Sequence, residues 1–281
     1  MKTMKWKAWL VYDREGARRN AGYIRMHEET GRQMQIEFRL VLDEHMPELS
    51  CLTDEEKPDF AIVRTIQPAL TKKLEDAGIP VFNNSFVSEI CNHKGKTIDY
   101  VRSHSEIPVI PTRTFSNGEL SEDLLTKYPK HIIKAVDGHG GKQVFRTTDS
   151  REQIFEAVGR SDFVIQPFIK GPGKDLRIYV IGKQIVGAVE RQAEQDFRAN
   201  FSLGGSVRSF TCGEKEANLA HTICGLFSFG LAGIDFIMDE KGEWIFNEIE
   251  DVVGARMLYQ CQPEIHLLEQ YFSFILENIL Q

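Results

Sequence analysis

Three carboxylates sit where carboxylates are costly. Ala232-Gly233-Ile234-Asp235-Phe236-Ile237 and Trp244-Ile245-Phe246-Asn247-Glu248-Ile249-Glu250-Asp251 are apolar runs joined by the turn-forming Asp239-Glu240-Lys241-Gly242. That pattern predicts a β-hairpin. A carboxylate inside an apolar strand needs a positive partner. Strand alternation puts Glu248 and Glu250 on one face, within reach of Asp235 on the partner strand. Three converging oxygen donors of this kind suit Mg²⁺ or Mn²⁺, and such sites commonly hold a nucleoside triphosphate through the ion. A solvated acidic hairpin edge is the competing reading of the same residues.

A second group of residues is suited to anions. Asp137-Gly138-His139-Gly140-Gly141-Lys142 follows the apolar strand Ile132-Ile133-Lys134-Ala135. Glycines let backbone amides turn toward a phosphate, here with neither the Walker A nor the dinucleotide spacing. Continuation as Gln143-Val144-Phe145 predicts a flap between two strands, with a plain glycine-rich turn as the alternative. Lys134, alone in its apolar strand, is expected to be at least half-buried and to need an anion. Phe163-Val164-Ile165-Gln166-Pro167-Phe168-Ile169 is an apolar strand broken at a proline. Such a segment either offers backbone groups to an adenine edge or acts only as a hinge.

The elements that must position these groups form an α/β pattern. Strands at 6–12, 36–42, 60–63 and 81–82 alternate with helical stretches, one of them at 68–77, which predicts a small parallel βαβ domain over residues 1–85. Residues 86–281 form the second unit. It opens with one helix over 85–103 and an extended link through Pro108 and Pro111. Strands near 132–135, 163–165, 177–180 and 185–190 follow, with helices at 151–158, 214–229 and 263–280. The chain has 281 residues, 42% hydrophobic and 27% charged, with a formal net charge of -7. That balance argues against nucleic acid or an anionic membrane as the main partner. The five cysteines form no Cys-x-x-Cys pair and the eight histidines show no ligand spacing, so neither a disulfide framework nor a thiolate zinc site is expected. No secretory signal and no membrane-length segment is apparent, and a cytoplasmic protein is expected.

Taken in order, these segments resemble the ATP-grasp superfamily, and more closely its ribosomal-protein-modifying, RimK-like amino-acid ligases. The likeness covers roughly residues 58–275. Val63-Arg64-Thr65 and Ala77-Gly78-Ile79-Pro80-Val81-Phe82-Asn83-Asn84-Ser85 are similar to the end of the family's first domain. Lys96, chosen over Lys94 by its spacing to Pro111, stands where the family keeps its first ATP-contacting lysine, with Lys94 as the alternative, and Lys134 looks like the second. Gln166, Pro167, Phe168 and Ile169 lie at the adenine hinge, and the resemblance implies ribose contact near Asp175. Glu190-Arg191-Gln192-Ala193, with Asp196-Phe197-Arg198-Ala199-Asn200 and Gly204-Gly205, matches the stretch that supplies arginines and an asparagine around the phosphates and the reacting carboxylate. Asp235, Glu248 and Glu250 fall on the metal positions. Three departures stand out. Glu250 replaces the usual asparagine, Pro167 replaces an acidic residue, and Asp251-Val252-Val253-Gly254-Ala255-Arg256 replaces a small-Pro-Gly turn. The first 50 residues match least and are expected to shape the acceptor site with the loop at 251–262.

The resemblance implies an ATP-grasp fold with a small amino-terminal βαβ domain. It also implies an ATP- and Mg²⁺- or Mn²⁺-dependent ligase, with two ions, that joins a carboxylate to an amine through an acyl-phosphate. Lys96 and Lys134 would neutralise the α- and β-phosphates. Arg177, Arg191 and Arg198, with Asn200, would clamp the transferring phosphoryl and the carboxylate. Gly138, Gly140 and Gly141 would close over the nucleotide and exclude water. The partners would be an amino acid, such as glutamate, and a small-molecule or peptide-terminus acceptor. A phosphotransferase of the same fold and a non-catalytic ATP-binding regulator are the alternatives. Relatives of this type are often dimers or tetramers, and the sequence does not fix the assembly.

Overall fold

The computed structural model describes residues 6–138, 141, 143–192 and 206–280. Three sheets carry it. The first is parallel, in the order β2 (Ile36–Leu42), β1 (Trp6–Tyr12), β3 (Phe60–Val63), β4 (Val81–Phe82). Its connections run through α1 (Arg14–Arg19), α2 (Ala21–Gln33) and α3 (Pro68–Asp76). Asp13 caps α1 by accepting from the Gly16 amide at 2.7 Å, which satisfies an amide the first turn leaves unpaired. Pro68 opens α3, where its missing N–H costs nothing.

The expected single helix over 85–103 is two helices. α4 (Ser85–Cys91) ends at Asn92, whose side-chain amide donates to the Ser88 carbonyl. α5 (Lys94–His104) begins afresh, capped by the His93 ring accepting from the Lys96 amide. The Lys94 amide, freed from any intrahelical bond at this new start, donates to the Val136 carbonyl. The break therefore turns Lys94 toward the strand after which the glycine loop runs.

The second sheet is antiparallel, in the order β5 (Arg113–Phe115), β8 (Phe163–Pro167), β6 (His131–Ala135), β7 (Val144–Arg146). Period-two alternation divides its faces. Ile133, Phe163 and Ile165 pack with Leu125 of α6 (Glu122–Lys127) and with Ile154 and Val158 of α7 (Arg151–Val158). Ile132, Lys134 and Gln166 point the other way, into a cleft.

The third sheet runs β11 (Ser206–Ser209), β10 (Gln184–Gln192), β9 (Lys174–Ile181), β12 (Leu231–Met238), β13 (Trp244–Glu250). Leu176, Ile178, Val180, Ala232, Ile234 and Phe236 face α4, α5 and α8 (Glu214–Cys224). The helix expected to reach residue 229 stops at Cys224, with Gly225 as its cap. On the opposite face, Tyr179, Ile181, Val189 and Leu231 join Leu10, Tyr12, Phe60 and Ile62 of the first sheet. Leu258 of α9 (Arg256–Cys261) and Phe272 of α10 (Leu267–Ile279) complete that core. Asn83 ties the layers together: its amide donates to the Leu231 and Asp251 carbonyls and its oxygen accepts from the Gly230 amide. Among the described residues, no helix is long and apolar enough to cross a membrane.

Candidate active site

One face of the third sheet changes character along its length. On β9 the residues at odd positions run Ile181, Tyr179, Arg177, Asp175, from hydrophobic core into a charged cluster, while the even positions after Lys174 (Leu176, Ile178 and Val180) are apolar. Register then assembles the rest. Asp235 of β12 lies opposite Arg177, and Arg191 of β10 lies opposite Asp175. On the other side of β12, Asp235 lies opposite Glu248 of β13. Five charged side chains from four strands thus share one rigid surface.

Their hydrogen bonds form a closed network. Arg177 grips Asp235 with two parallel bonds, Nε to Oδ1 at 2.7 Å and a terminal nitrogen to Oδ2 at 2.6 Å. Its remaining terminal nitrogen donates to Glu250 at 2.7 Å. Arg191 donates to Asp235 Oδ2 at 2.7 Å and through Nε to Asp175 at 2.6 Å. Burial alone would raise the Asp235 pKa, but the two guanidinium groups hold it down to about 2. For Asp175 burial prevails over Arg191 and lifts the carboxyl to about 7. Bidentate guanidinium–carboxylate pairs offset the desolvation of charges this deeply buried.

The β13 strand carries an irregularity that matters. Phe236 pairs with Phe246 and Asp235 with Glu248, so Asn247 is an extra residue in the ladder. Such a bulge shifts the alternation by one. Trp244 and Phe246 point into the core before it, and Ile249 does so after it. Asn247 is thereby brought to the cleft, where its oxygen accepts from Lys134 Nζ at 3.1 Å. Burial lowers the Lys134 ammonium to about 8, against the opposing pull of Glu248. Lys94 Nζ lies 3.4 Å from Glu248 and donates to the Gly138 carbonyl. Burial pushes the Glu248 carboxyl up, but Lys94, Lys134 and Arg177 together outweigh it, so the net direction is down.

Between the second and third sheets lies a cleft of about 420 Å³. Its polar end holds Lys94, Lys134, Asp175, Asn247, Glu248 and Glu250. The apolar end is formed by Ile110, Ile132, Val144, Ile237 and Met238, suited to the faces of a planar ring. Gln166, Pro167, Phe168 and Ile169 form one rim, and Gly138 and Gly141 border the opening. The Gln166 side chain is fixed by Thr112 at 2.9 Å, and the Phe168 amide donates to the Lys130 carbonyl. Arg146 lies over the Phe168 ring at 5.7 Å. Gly141 has φ +74°, a backbone state that glycine adopts without strain.

Asp235, Glu248 and Glu250 each offer an oxygen, all within 4.8 Å of one another. Hard oxygen donors at this spacing fit a divalent cation such as Mg²⁺ or Mn²⁺.

The model of the RimK-like ATP-grasp domain matches residues 92–269. This chain belongs to the RimK-like ATP-grasp family. A protein from Xylella fastidiosa (strain M12), described as a probable alpha-L-glutamate ligase, is 32% identical over 157 residues, 51% of this chain and 52% of that protein. The chain thus spans about half the length of that curated relative. Among solved structures, the D-cycloserine synthetase DcsG aligns with a TM-score of 0.74 at 12% identity, covering 97% of this chain and 99% of that one. The D-alanine–D-alanine ligase of Bacillus anthracis, solved in complex with ATP, aligns with a TM-score of 0.70 at 17% identity and 98% coverage of both chains. The shared fold is the ATP-grasp fold.

Against the ATP-grasp arrangement, one expected position needs correcting. Lys96 does not face the cleft: it is about half exposed and pairs with Glu89 at 2.8 Å on the outer side of the α4–α5 corner. Lys94, two residues earlier, lines the cleft instead. Arg177 and Arg191 stand behind the carboxylates and do not border the cleft, whereas Asp175 borders it and is held by Arg191. Gly140, Arg198 and Asn200 lie outside the described residues. Asn247 was not expected at the site at all. Strict alternation puts it on the opposite face from Glu248, and only the bulge reverses that.

Proposed function

We propose that this RimK-like ATP-grasp protein is an ATP-dependent carboxylate–amine ligase. It adds an amino acid, glutamate being the first candidate, to a small molecule or a peptide terminus. The observation that carries this reading is the polar end of the cleft. There Glu248 and Glu250, with Asp235 buried behind them, face two lysines, Lys94 and Lys134, next to the apolar part of the cleft. The description of the Xylella relative as a probable alpha-L-glutamate ligase supports the amino acid, and the ATP-bound relative with the same fold supports the nucleotide.

Each group has a task in the reaction. Adenine lies against Ile110, Ile132, Ile237 and Met238, and meets the rim at Gln166–Ile169. Lys94 and Lys134 neutralise phosphate oxygens. Asp235, Glu248 and Glu250 would hold Mg²⁺ or Mn²⁺, which supplies charge neutralisation at the terminal phosphates. The γ-phosphoryl group passes from ATP to a substrate carboxylate oxygen, and the bond from the γ-phosphorus to the β–γ bridging oxygen breaks as ADP leaves with the electron pair. The amine nitrogen then attacks the acyl carbon, the C–N bond forms, the C–O bond to phosphate breaks, and phosphate leaves with the electron pair. Arg177 and Arg191 keep Asp235 ionised and aimed. The glycine loop, through Gly138 and Gly141, shields the acyl-phosphate from water. All five cysteines are free thiols, which fits a reducing cytoplasmic setting.

The test is phosphate release from Mg²⁺-ATP with pairs of amino acids and amino-acid-terminated peptides, read together with product masses. Amino-acid-dependent phosphate with an amide mass is the expected outcome. ADP without free phosphate would instead mean a phosphotransferase.

A further inference from the structure

Outside the cleft, one cluster has no use in the reaction as described. Arg64, just past β3, is nine-tenths buried. One terminal nitrogen donates to the carbonyls of Val253 at 3.0 Å and Val252 at 3.3 Å. Its Nε is buried with no hydrogen-bond partner, and among the described residues no carboxylate forms an ion pair with it. Around the guanidinium stand aromatic rings, with the centroid of Tyr23 at 5.0 Å and that of Tyr12 at 6.0 Å. The hydroxyls of both tyrosines are buried and unpaired too. Three orphaned donors around a buried cation are expensive. Buried polar groups are almost always satisfied, and a buried charge without a counter-ion costs several kcal/mol. Ring faces repay only part of that. The nearest acid in influence, Asp251, has its own unpaired oxygen and leans on Asn92.

The location gives the cluster meaning. Val252 and Val253 follow Glu250 and Asp251 in the chain, and Val253 packs against Gly233 beside the Arg177 side chain. Tyr179, two residues beyond Arg177 on the same face of β9, donates its hydroxyl to the Gly254 carbonyl. Arg64 therefore sits one layer from the charged network, on the side formed by the first sheet, away from the nucleotide. A planar oxyanion is what a guanidinium fork flanked by two hydroxyls accepts.

We propose that Arg64, with the hydroxyls of Tyr12 and Tyr23, anchors a carboxylate of the acceptor substrate that is bound but not activated. The anchor selects acceptors that are amino acids or peptide carboxyl termini. This inference rests on the ligase reading and deepens it.

The experiment is thermal unfolding of wild type, Arg64→Lys and Tyr23→Phe. The probes are the twenty amino acids, their α-carboxamides and dipeptides ending in glutamate, each with Mg²⁺-ADP present. At least one carboxylate probe should raise the wild-type midpoint while its carboxamide does not. In Arg64→Lys the affinity for that probe should fall by about tenfold or more, as expected when a forked charged contact is lost. The Mg²⁺-ADP shift should be unchanged. Free Tyr23→Phe should melt no lower than wild type, because no hydrogen bond is lost, yet bind the probe more weakly. Free amino acids acting alone would identify the acceptor as a monomer, and dipeptides acting alone as a chain terminus. A preference for acid over amide that survives in Arg64→Lys overturns the anchor, and if that variant does not fold, Tyr23→Phe decides in the same way. So does a wild type that responds to Mg²⁺-ADP and to no carboxylate. A wild type that ignores Mg²⁺-ADP overturns the ligase reading and the anchor with it.

Discussion

At the scale of single residues, the two lysines near the α4–α5 corner separate position from role. Lys94→Ala is expected to raise the KM for ATP about tenfold or more, in line with loss of a charge-assisted phosphate contact. Lys96→Ala, losing only an exposed pair with Glu89, should stay within about twofold. Steady-state kinetics on both variants decide the matter. Glu248→Gln should lower turnover by roughly 100-fold or more, since it removes a ligand charge from the terminal phosphates, with an unchanged circular-dichroism spectrum. Lys134 carries a pH signature. Burial has lowered its pKa to about 8, so nucleotide affinity should weaken as pH rises through 8 and the ammonium loses its proton. The sign for stability is opposite. In the unfolded chain this lysine titrates at its ordinary, higher pKa, so between the two values the unfolded state binds more protons and stability rises with pH. Lys134→Met is thus expected to raise the melting temperature of the free protein at pH 7, with a gain that shrinks toward pH 10.

At the scale of elements, the site depends on two interruptions of regular structure. One is the gap between α4 and α5. Gly95 packs where a Cβ would collide with the Thr114 hydroxyl of β5, so Gly95→Ala should push α5 away and weaken ATP binding through Lys94, at a stability cost of about 1–3 kcal/mol. Calorimetric titration with ATP analogues would show it. The other interruption is the bulge at Asn247. Both explain what the sequence revealed and what it hid. Asp235, Glu248 and Glu250 could be placed on one face from alternation alone, because the bulge lies before Glu248 and leaves 248 and 250 in phase. Asn247 could not, since a bulge has no signature when the extra residue is an asparagine between Phe246 and Glu248. The choice of Lys96 over Lys94 went astray for a similar reason. An unbroken helix over 85–103 makes 94 and 96 equivalent candidates, and the ring of His93 capping a new helix is not a strong sequence signal. The parallel first sheet was readable because β3 and most of β1 are apolar runs and its strands alternate with helical stretches. The short edge strands β5 and β11 were not, because three or four residues with exposed side chains carry almost no pattern.

At the scale of the whole molecule, the first sheet is not a detachable module. Leu10, Tyr12, Phe60 and Ile62 share one core with Tyr179, Ile181, Val189 and Leu231 of the third sheet, under Phe272 of α10. Phe272→Ala should cost about 3–5 kcal/mol, read as a single lowered unfolding transition and not as the loss of one of two. A chain beginning at residue 86 should aggregate, because the face of β9 and β12 that continues into the charged network would be laid bare. That face was legible only in part. The alternation of β9 was visible, yet nothing local shows that Tyr179 meets the first sheet while Arg177, one pleat away, meets carboxylates.

The charged network also has a thermodynamic consequence. Asp235, Glu248, Glu250 and, above pH 7, Asp175 are matched by Lys94, Lys134, Arg177 and Arg191, so the charged surface is close to electrically neutral. A free divalent ion arriving alone would unbalance it, and so would free ATP, with its roughly four negative charges. Their mutual complex, nearly uncharged when two ions are aboard, would not. Ion and nucleotide should therefore each recruit the other, with a reciprocal coupling of about 1–3 kcal/mol. Titrating Mn²⁺ by paramagnetic resonance should show weak binding to the free protein, tightening some 5- to 150-fold once ADP is added, and the same factor should appear when the order of addition is reversed.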